Sequence, residues 1–204
     1  MAVEAARKGA ATEPITLEKV VPELEKKEGF LLKIRNPQWS KNTAICVNGQ
    51  KAVATPGYII LDRFWKTGDV VELELDMRVF VHRPIAYGSQ ILMNQYIPGK
   101  NYIVPTFDRE DPLAKHHIAL QRGPLMLAQE NRLGYSVDDP IDVAINKDET
   151  VSATVSAVGK APYPALLEMQ IPLTDGREMT VTDYGSAGKL WNESSKMAVW
   201  MLTV

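Results

Sequence analysis

The chain has 204 residues, enough for one medium domain or two small ones. With 45% hydrophobic and 24% charged residues its usage is ordinary for a globular protein, and a packed core is expected. The formal net charge of −2 excludes the basic footprint of a nucleic-acid-binding protein, and no apolar run reaches the roughly eighteen residues of a membrane-spanning helix.

The opening stretch, MAVEAARKGAATEP, is polar and alanine-rich. It lacks the apolar core of a secretory signal, and residues 1–12 are expected to be a disordered lead-in. Next comes TLEKVVPELEKKEG, where Leu17, Val20, Val21 and Leu24 fit one helical face. Pro22 interrupts that face and Val20-Val21 favour a strand. From residue 30 onward the pattern is short alternating runs. Phe30, Leu32 and Ile34 alternate with Leu31, Lys33 and Arg35, the period of a strand with one buried face. Asn48-Gly49 lies between two β-prone runs, and both residues tolerate positive φ, which predicts a tight hairpin. GYIILDRFW, KTGD and VVELEL form the clearest hairpin, with Val71, Leu73 and Leu75 on one face and Glu72 and Glu74 on the other. VFVHRPI continues in the same style to Pro84.

Residues 88–115 break the rhythm with prolines, glycines and an acidic cluster, and read as a long excursion. HIALQRGPLMLAQE then reads as two strands around Gly123-Pro124. NRLGYSVDDPID is turn-rich and is the expected junction between two units. Four more strand-like segments close the chain: ETVSATVSAV, ALLEMQIPL, REMTVTDYG and KMAVWMLTV. Strand-helix-strand alternation is absent, so a parallel α/β sheet is not expected. Many short strands with frequent turns predict an all-β fold of antiparallel β-sandwiches. The expected division is a first sandwich over residues 13–131 and a smaller β unit over 132–204.

Five segments occur in one order: LLKIRNPQW, VNGQ, GYIILDRFWKTGDVVELEL, IALQRGPLMLAQE and MAVWML. Together they resemble the carboxy-terminal part of the β-L-arabinofuranosidase family of glycoside hydrolases, across roughly residues 30–204. Asn36 departs from the family's isoleucine-proline step, and VTDYGSAGKLW matches its ending only loosely. The resemblance implies a β-sandwich region that follows a helical-barrel catalytic domain. In the family the barrel carries a cysteine nucleophile, a zinc site and a catalytic glutamate. Cys46, the single cysteine, lies in AICVNG and matches none of those motifs. No catalytic residue, metal ligand or cofactor is therefore assigned here. Localisation is left open, being periplasmic or extracellular for a part of an exported glycoside hydrolase.

The remaining candidates divide between chemistry and structure. His116 and His117 are adjacent, so on a strand they face opposite sides and cannot chelate one ion together. Arg122 precedes Gly123, which suits an unusual backbone or a close approach, and Pro124, which suits an edge or bulge. A structural pairing of Arg122 with Glu130 or Asp108 is expected. Asp108, Glu110 and Asp111 read as a solvated loop rather than a calcium site or a glycosidase pair. Trp39, Trp65 and Trp200 are expected to pack. Tyr96, Tyr102, Phe107 and Trp191 form the aromatic set able to stack on a carbohydrate.

The resulting expectation is a non-catalytic accessory region that braces a catalytic barrel and leaves a broad apolar face bare. The alternative is an independent carbohydrate-binding module. A third reading, a small enzyme using the acidic loop, requires converging carboxylates in a pocket. Neither a nucleic acid nor a membrane is an expected partner.

Overall fold

The structure, a computed structural model, describes residues 15–20, 24, 26–84, 116–156 and 159–204. These form an all-β fold whose ladders are antiparallel. The chain order begins β1 (Ile15–Val20), β2 (Glu28–Asn36), β3 (Ala44–Val47), β4 (Gln50–Ala52), β5 (Gly57–Trp65) and β6 (Val70–Leu75). It continues with β7 (Val79–His82), β8 (His117–Arg122), β9 (Leu125–Glu130), β10 (Thr150–Val151) and β11 (Thr154–Val155). It ends with β12 (Glu168–Pro172), β13 (Glu178–Asp183), β14 (Met197–Ala198) and β15 (Met201–Leu202). The ambiguous TLEKV stretch is a strand, paired along its length with β6 from Ile15↔Leu75 to Val20↔Val70.

Two sheets enclose the first core. One has the order β1-β6-β3-β4, and the other is the long β2–β5 ladder, from Glu28↔Trp65 to Asn36↔Gly57. Ile45, Val47, Ile59, Leu61, Trp65, Val71, Leu73 and Leu75 fill the space between them. The alternation in β6 is the expected one, with Val71, Leu73 and Leu75 buried. Trp65 is fully buried, and its indole N–H donates to the Phe30 carbonyl at 2.9 Å.

Turn chemistry sets the register. Asn48 and Gly49 have φ of 52° and 75°, the two positive values that a tight two-residue hairpin requires. The Asn48 side chain joins this turn to the next one: its amide donates to Asp69 at 2.9 Å and its oxygen accepts from the Val70 N–H at 2.8 Å. Asp69 also accepts from the Lys66 N–H at 3.1 Å and so closes the KTGD turn, in which Gly68 sits at φ 84°.

The second core belongs to a nine-stranded sheet with the order β10-β7-β8-β9-β13-β12-β11, to which β14 and β15 add beside β9 and β8. Val79, Leu120, Leu127, Met169, Ile171, Met179, Val181 and Met201 are among its buried residues. This sheet crosses residue 131, because β9 on one side pairs with β13 on the other at Thr182↔Ala128 and Asp183↔Leu127. The core changes over earlier, between Leu75 and Val79.

The two cores meet at a tight seam. The Asp76 N–H donates to Ser40 Oγ at 2.9 Å, in the turn after β2. Arg78 grips the Asp76 carboxylate through Nε (3.0 Å) and Nη2 (2.9 Å) and reaches Asp148 through Nη1 (2.7 Å). Burial pushes the Asp76 carboxyl up, but the Arg78 hydrogen bonds outweigh it and hold the group below the usual carboxylate range. Gly123 sits at φ 54°, and a Cβ there would lie 2.6 Å from the Met77 methyl and 3.6 Å from the Trp39 ring. The Arg-Gly-Pro segment therefore combines a positive φ with a close approach.

Candidate functional site

The outer face of the β2–β5 ladder is the first surface of interest. Register puts Gly29, Leu31, Lys33 and Arg35 of β2 beside Phe64, Asp62, Ile60 and Tyr58 of β5. These side chains point away from the first core, because their neighbours Ile59, Leu61 and Trp65 point into it. Leu31, Tyr58, Ile60 and Phe64 are 46%, 51%, 56% and 65% exposed, an apolar set where a solvated sheet face would be polar. The Phe64 ring lies over Gly29, 3.1 Å from where a Cβ would stand, so the missing side chain lets the ring lie flat. Cations frame the patch: Lys27 sits 5.4 Å from the Phe64 ring centre and Arg35 sits 5.6 Å from that of Tyr58.

The second surface is a cleft of about 320 Å³ at the seam. Gln38, Trp39 and Lys41 line it from the turn after β2, Phe80 and His82 from β7, and Gln121 from β8. Gln121 is fixed at both ends of its amide. Its nitrogen donates to the Gly123 carbonyl at 2.8 Å, which turns its oxygen toward His82 Nε2 at 2.7 Å. That orientation makes His82 Nε2 the donor. None of these six lining residues is a carboxylate.

The described acids are used to hold the fold. Glu130, at the end of β9, is fully buried, and its carboxylate meets the Arg132 guanidinium and the Tyr163 hydroxyl. It also accepts the Gly188 N–H at 3.0 Å. Burial pushes the Glu130 carboxyl up, but the Gly188 N–H, the Tyr163 hydroxyl and Arg132 together hold it below the usual range. Burial and the same carboxylate push the Tyr163 hydroxyl well above a normal phenol. Arg132 goes on to donate to the Leu190 and Lys189 carbonyls at 2.9 and 3.0 Å. Asp183 accepts the N–H groups of Leu166 (3.2 Å) and Leu167 (3.1 Å), and Glu168 accepts those of Lys160 (2.6 Å) and Ala161 (3.2 Å). Among the described residues no three His, Cys, Asp or Glu side chains gather as a metal cage.

Of the aromatic set read from the sequence, Trp191 is 62% exposed, and its ring lies over Gly188, 3.1 Å from a Cβ position there. Tyr96, Tyr102 and Phe107 lie outside the described residues, as do Asp108, Glu110, Asp111 and the lead-in. Glu130 pairs with Arg132, and Asp108, the other carboxylate expected near Arg122, lies outside the described residues. Arg122 itself is fully buried. Trp39 packs on the first core as expected, whereas Trp200 is 48% exposed. His117 starts β8, opposite Leu202, and His116 immediately precedes the strand. The seam cleft was not legible from the sequence, because its residues come from three segments with no shared motif.

The architecture and one segment of the sequence point the same way. The family model described as β-L-arabinofuranosidase, GH127 middle domain, matches residues 10–77. That match covers about a third of the chain. The match ends at Met77, just before the second core begins at Val79. Three solved structures share the fold over nearly the whole chain. A glycoside hydrolase aligns at TM-score 0.56 with 20% identity, covering 93% of this chain and 30% of its own. A GH127 β-L-arabinofuranosidase from Geobacillus stearothermophilus T6 aligns at 0.55 with 18% identity, covering 95% and 29%. A further GH127 β-arabinofuranosidase aligns at 0.56 with 16% identity, covering 97% and 31%. The chain thus spans about 30% of the length of the GH127 enzymes it resembles. No curated protein matches it. The exposed Leu31-Tyr58-Ile60-Phe64 face lies within the residues that the GH127 middle-domain model matches.

Proposed function

We propose that this glycoside-hydrolase-related region is a non-catalytic accessory unit, and that the outer face of its β2–β5 ladder braces a helical-barrel catalytic domain. The observation that carries the reading is the apolar face of Leu31, Tyr58, Ile60 and Phe64. Exposed patches of this kind mark surfaces that another body covers. Lys27, Lys33 and Arg35 around it suit a partner surface whose apolar centre has an acidic rim. The buried carboxylates Asp76, Glu130, Glu168 and Asp183 support the same view, since internal hydrogen bonds and ion pairs engage each of them. The two units of the region are proposed to meet at residues 76–78, where the cores change over.

The test has two parts. The purified chain is incubated with a chromogenic β-L-arabinofuranoside, and no turnover is expected. A GH127 helical barrel without its own sandwich region is then mixed with the chain and examined by sedimentation. Association is expected, and Phe64→Glu or Ile60→Asp is expected to abolish it. Turnover by the chain alone that disappears on mutating a carboxylate would overturn the reading. So would association that survives both face variants.

A second reading rests on Trp191. Its exposed ring, held by the Gly188 turn, fits an independent carbohydrate-binding module. Loss of polysaccharide retention in Trp191→Ala would favour it.

A further inference from the structure

We propose that the seam cleft between the two units is a binding subsite for a single saccharide ring. The proposal does not rest on the bracing role, because every lining residue belongs to the chain itself.

The chemistry of the walls selects the ligand class. Trp39 and Phe80 supply aromatic surface, which suits the apolar C–H face of a sugar ring. Arg78 lies 5.3 Å from the Phe80 ring centre and helps hold that ring in place. Hydroxyl groups need donors and acceptors side by side at fixed positions, and Gln121 with His82 supplies them. Gln121 spends one N–H on Gly123 and one acceptor site on His82. Its second N–H and second lone pair are left for a ligand. With His82 Nε2 engaged by Gln121, Nδ1 is the ring's remaining polar atom. Gln38 and Lys41, both exposed, complete a polar rim.

Other ligand classes fit less well. A metal ion or an organic cation calls for carboxylates, and the described lining has none. A phosphate calls for several converging cations or backbone N–H groups, and among the described lining residues Lys41 is the only fixed positive charge. A large apolar molecule would leave the Gln121 and His82 polar groups unmatched. The volume of about 320 Å³ lies at the lower end of small-molecule pockets, which suits one ring rather than a long chain.

The site is also built to stay in place. Gly123 admits Met77 and lets Trp39 approach to 3.6 Å of its Cβ position, so the aromatic wall is seated on the seam. The Gln121 amide is locked from both sides before any ligand arrives. Such preorganisation reduces the ordering cost of binding a small polar molecule.

The experiment is a titration of the full chain, followed by ¹H–¹⁵N NMR, with L-arabinose and with D-galactose as probes. Saturable shifts of the Trp39 indole N–H and the Gln121 side-chain amide are expected with at least one sugar. His82→Ala and Gln121→Ala should each weaken affinity about tenfold, the effect of one lost hydrogen bond in a partly enclosed site. Both residues are outside the cores, so the rest of each spectrum should be unchanged. Trp191→Ala should leave the affinity intact. No saturable shift with either sugar would overturn the proposal. So would an affinity unchanged in both His82→Ala and Gln121→Ala, or an affinity lost in Trp191→Ala. Because no barrel is present in the titration, failure here and failure of the bracing role are separate results.

Discussion

The two cores solve the burial problem differently. In the first, β6 buries every second residue, and the opposing β2–β5 ladder keeps one face outward. In the second, Ile118, Ala119 and Leu120 of β8 are buried in succession, as are Met179 to Asp183 of β13. The middle strands of that sheet are buried along consecutive positions, so polar residues there are enclosed too: Arg122, Gln129, Glu130 and Thr182 are fully buried. The first region is held by apolar alternation with polar locks at its turns. The second relies on enclosed charges that must each be matched, which makes it the more sensitive to loss of a single partner.

The largest effect that would sharpen this contrast is expected at Arg132. Arg132→Ala leaves the fully buried Glu130 carboxylate without its cation and should cost about 3–5 kcal/mol in chemical denaturation. A small loss would show that the buried charge is not what holds the second region. The acid response checks the same point. The Glu130 carboxyl is held below its unfolded value, so its contribution is complete above the usual carboxylate range and is lost as pH falls through the folded value. Glu130→Gln should flatten the acid arm of a stability-versus-pH curve. An unchanged slope would assign the acid sensitivity elsewhere.

In the first region the largest effect is expected from Leu73→Ala, at about 2–5 kcal/mol through lost burial and a residual cavity. A neutral result would break the strand phase on which the sandwich rests. Gly68→Val should cost less, about 1–3 kcal/mol, because φ 84° is strained for a β-branched residue while the surrounding space is open. Recovery of that loss by Gly68→Asn would confirm a backbone origin. The smallest effects belong to the water-facing side. Glu72→Ala and Ile60→Thr should each stay within about 0.5 kcal/mol of the parent. A larger loss at Ile60 would mean that the outer face supports the fold of the isolated chain.

Legibility in the sequence followed the same division. The first region advertised itself, because a sheet wet on one face writes its phase as alternation, and Asn48-Gly49 and Lys66–Asp69 carry turn residues at the needed positions. The all-β class and the strands around Gly123 were also readable. The extent of the second core was less so. Runs such as Leu127–Glu130 are buried at consecutive positions and carry no period. The Glu130–Arg132–Tyr163 cluster joins side chains 33 residues apart and has no local signal. Arg132, two residues from Glu130, pairs with it, and strand spacing does not show that, because it does not show how the chain turns after β9. The apolar face was hidden in plain alternation: Leu31, Ile60 and Phe64 look like core residues until the register sends them outward.

The link at residues 76–78 has a mechanical consequence. It is short, its Asp76 N–H is tied to Ser40, and Arg78 clamps Asp76 while reaching across to Asp148. A connector bound on both sides has little freedom to swivel, so thermal opening of one core strains the other. Amide hydrogen exchange in β6 and β7 should therefore proceed by a shared opening event, and Arg78→Ala should split it into two independent ones. In the intact chain the outer β2–β5 face and the nine-stranded sheet would then behave as one rigid lever, and a push delivered to one would be felt at the far end of the other.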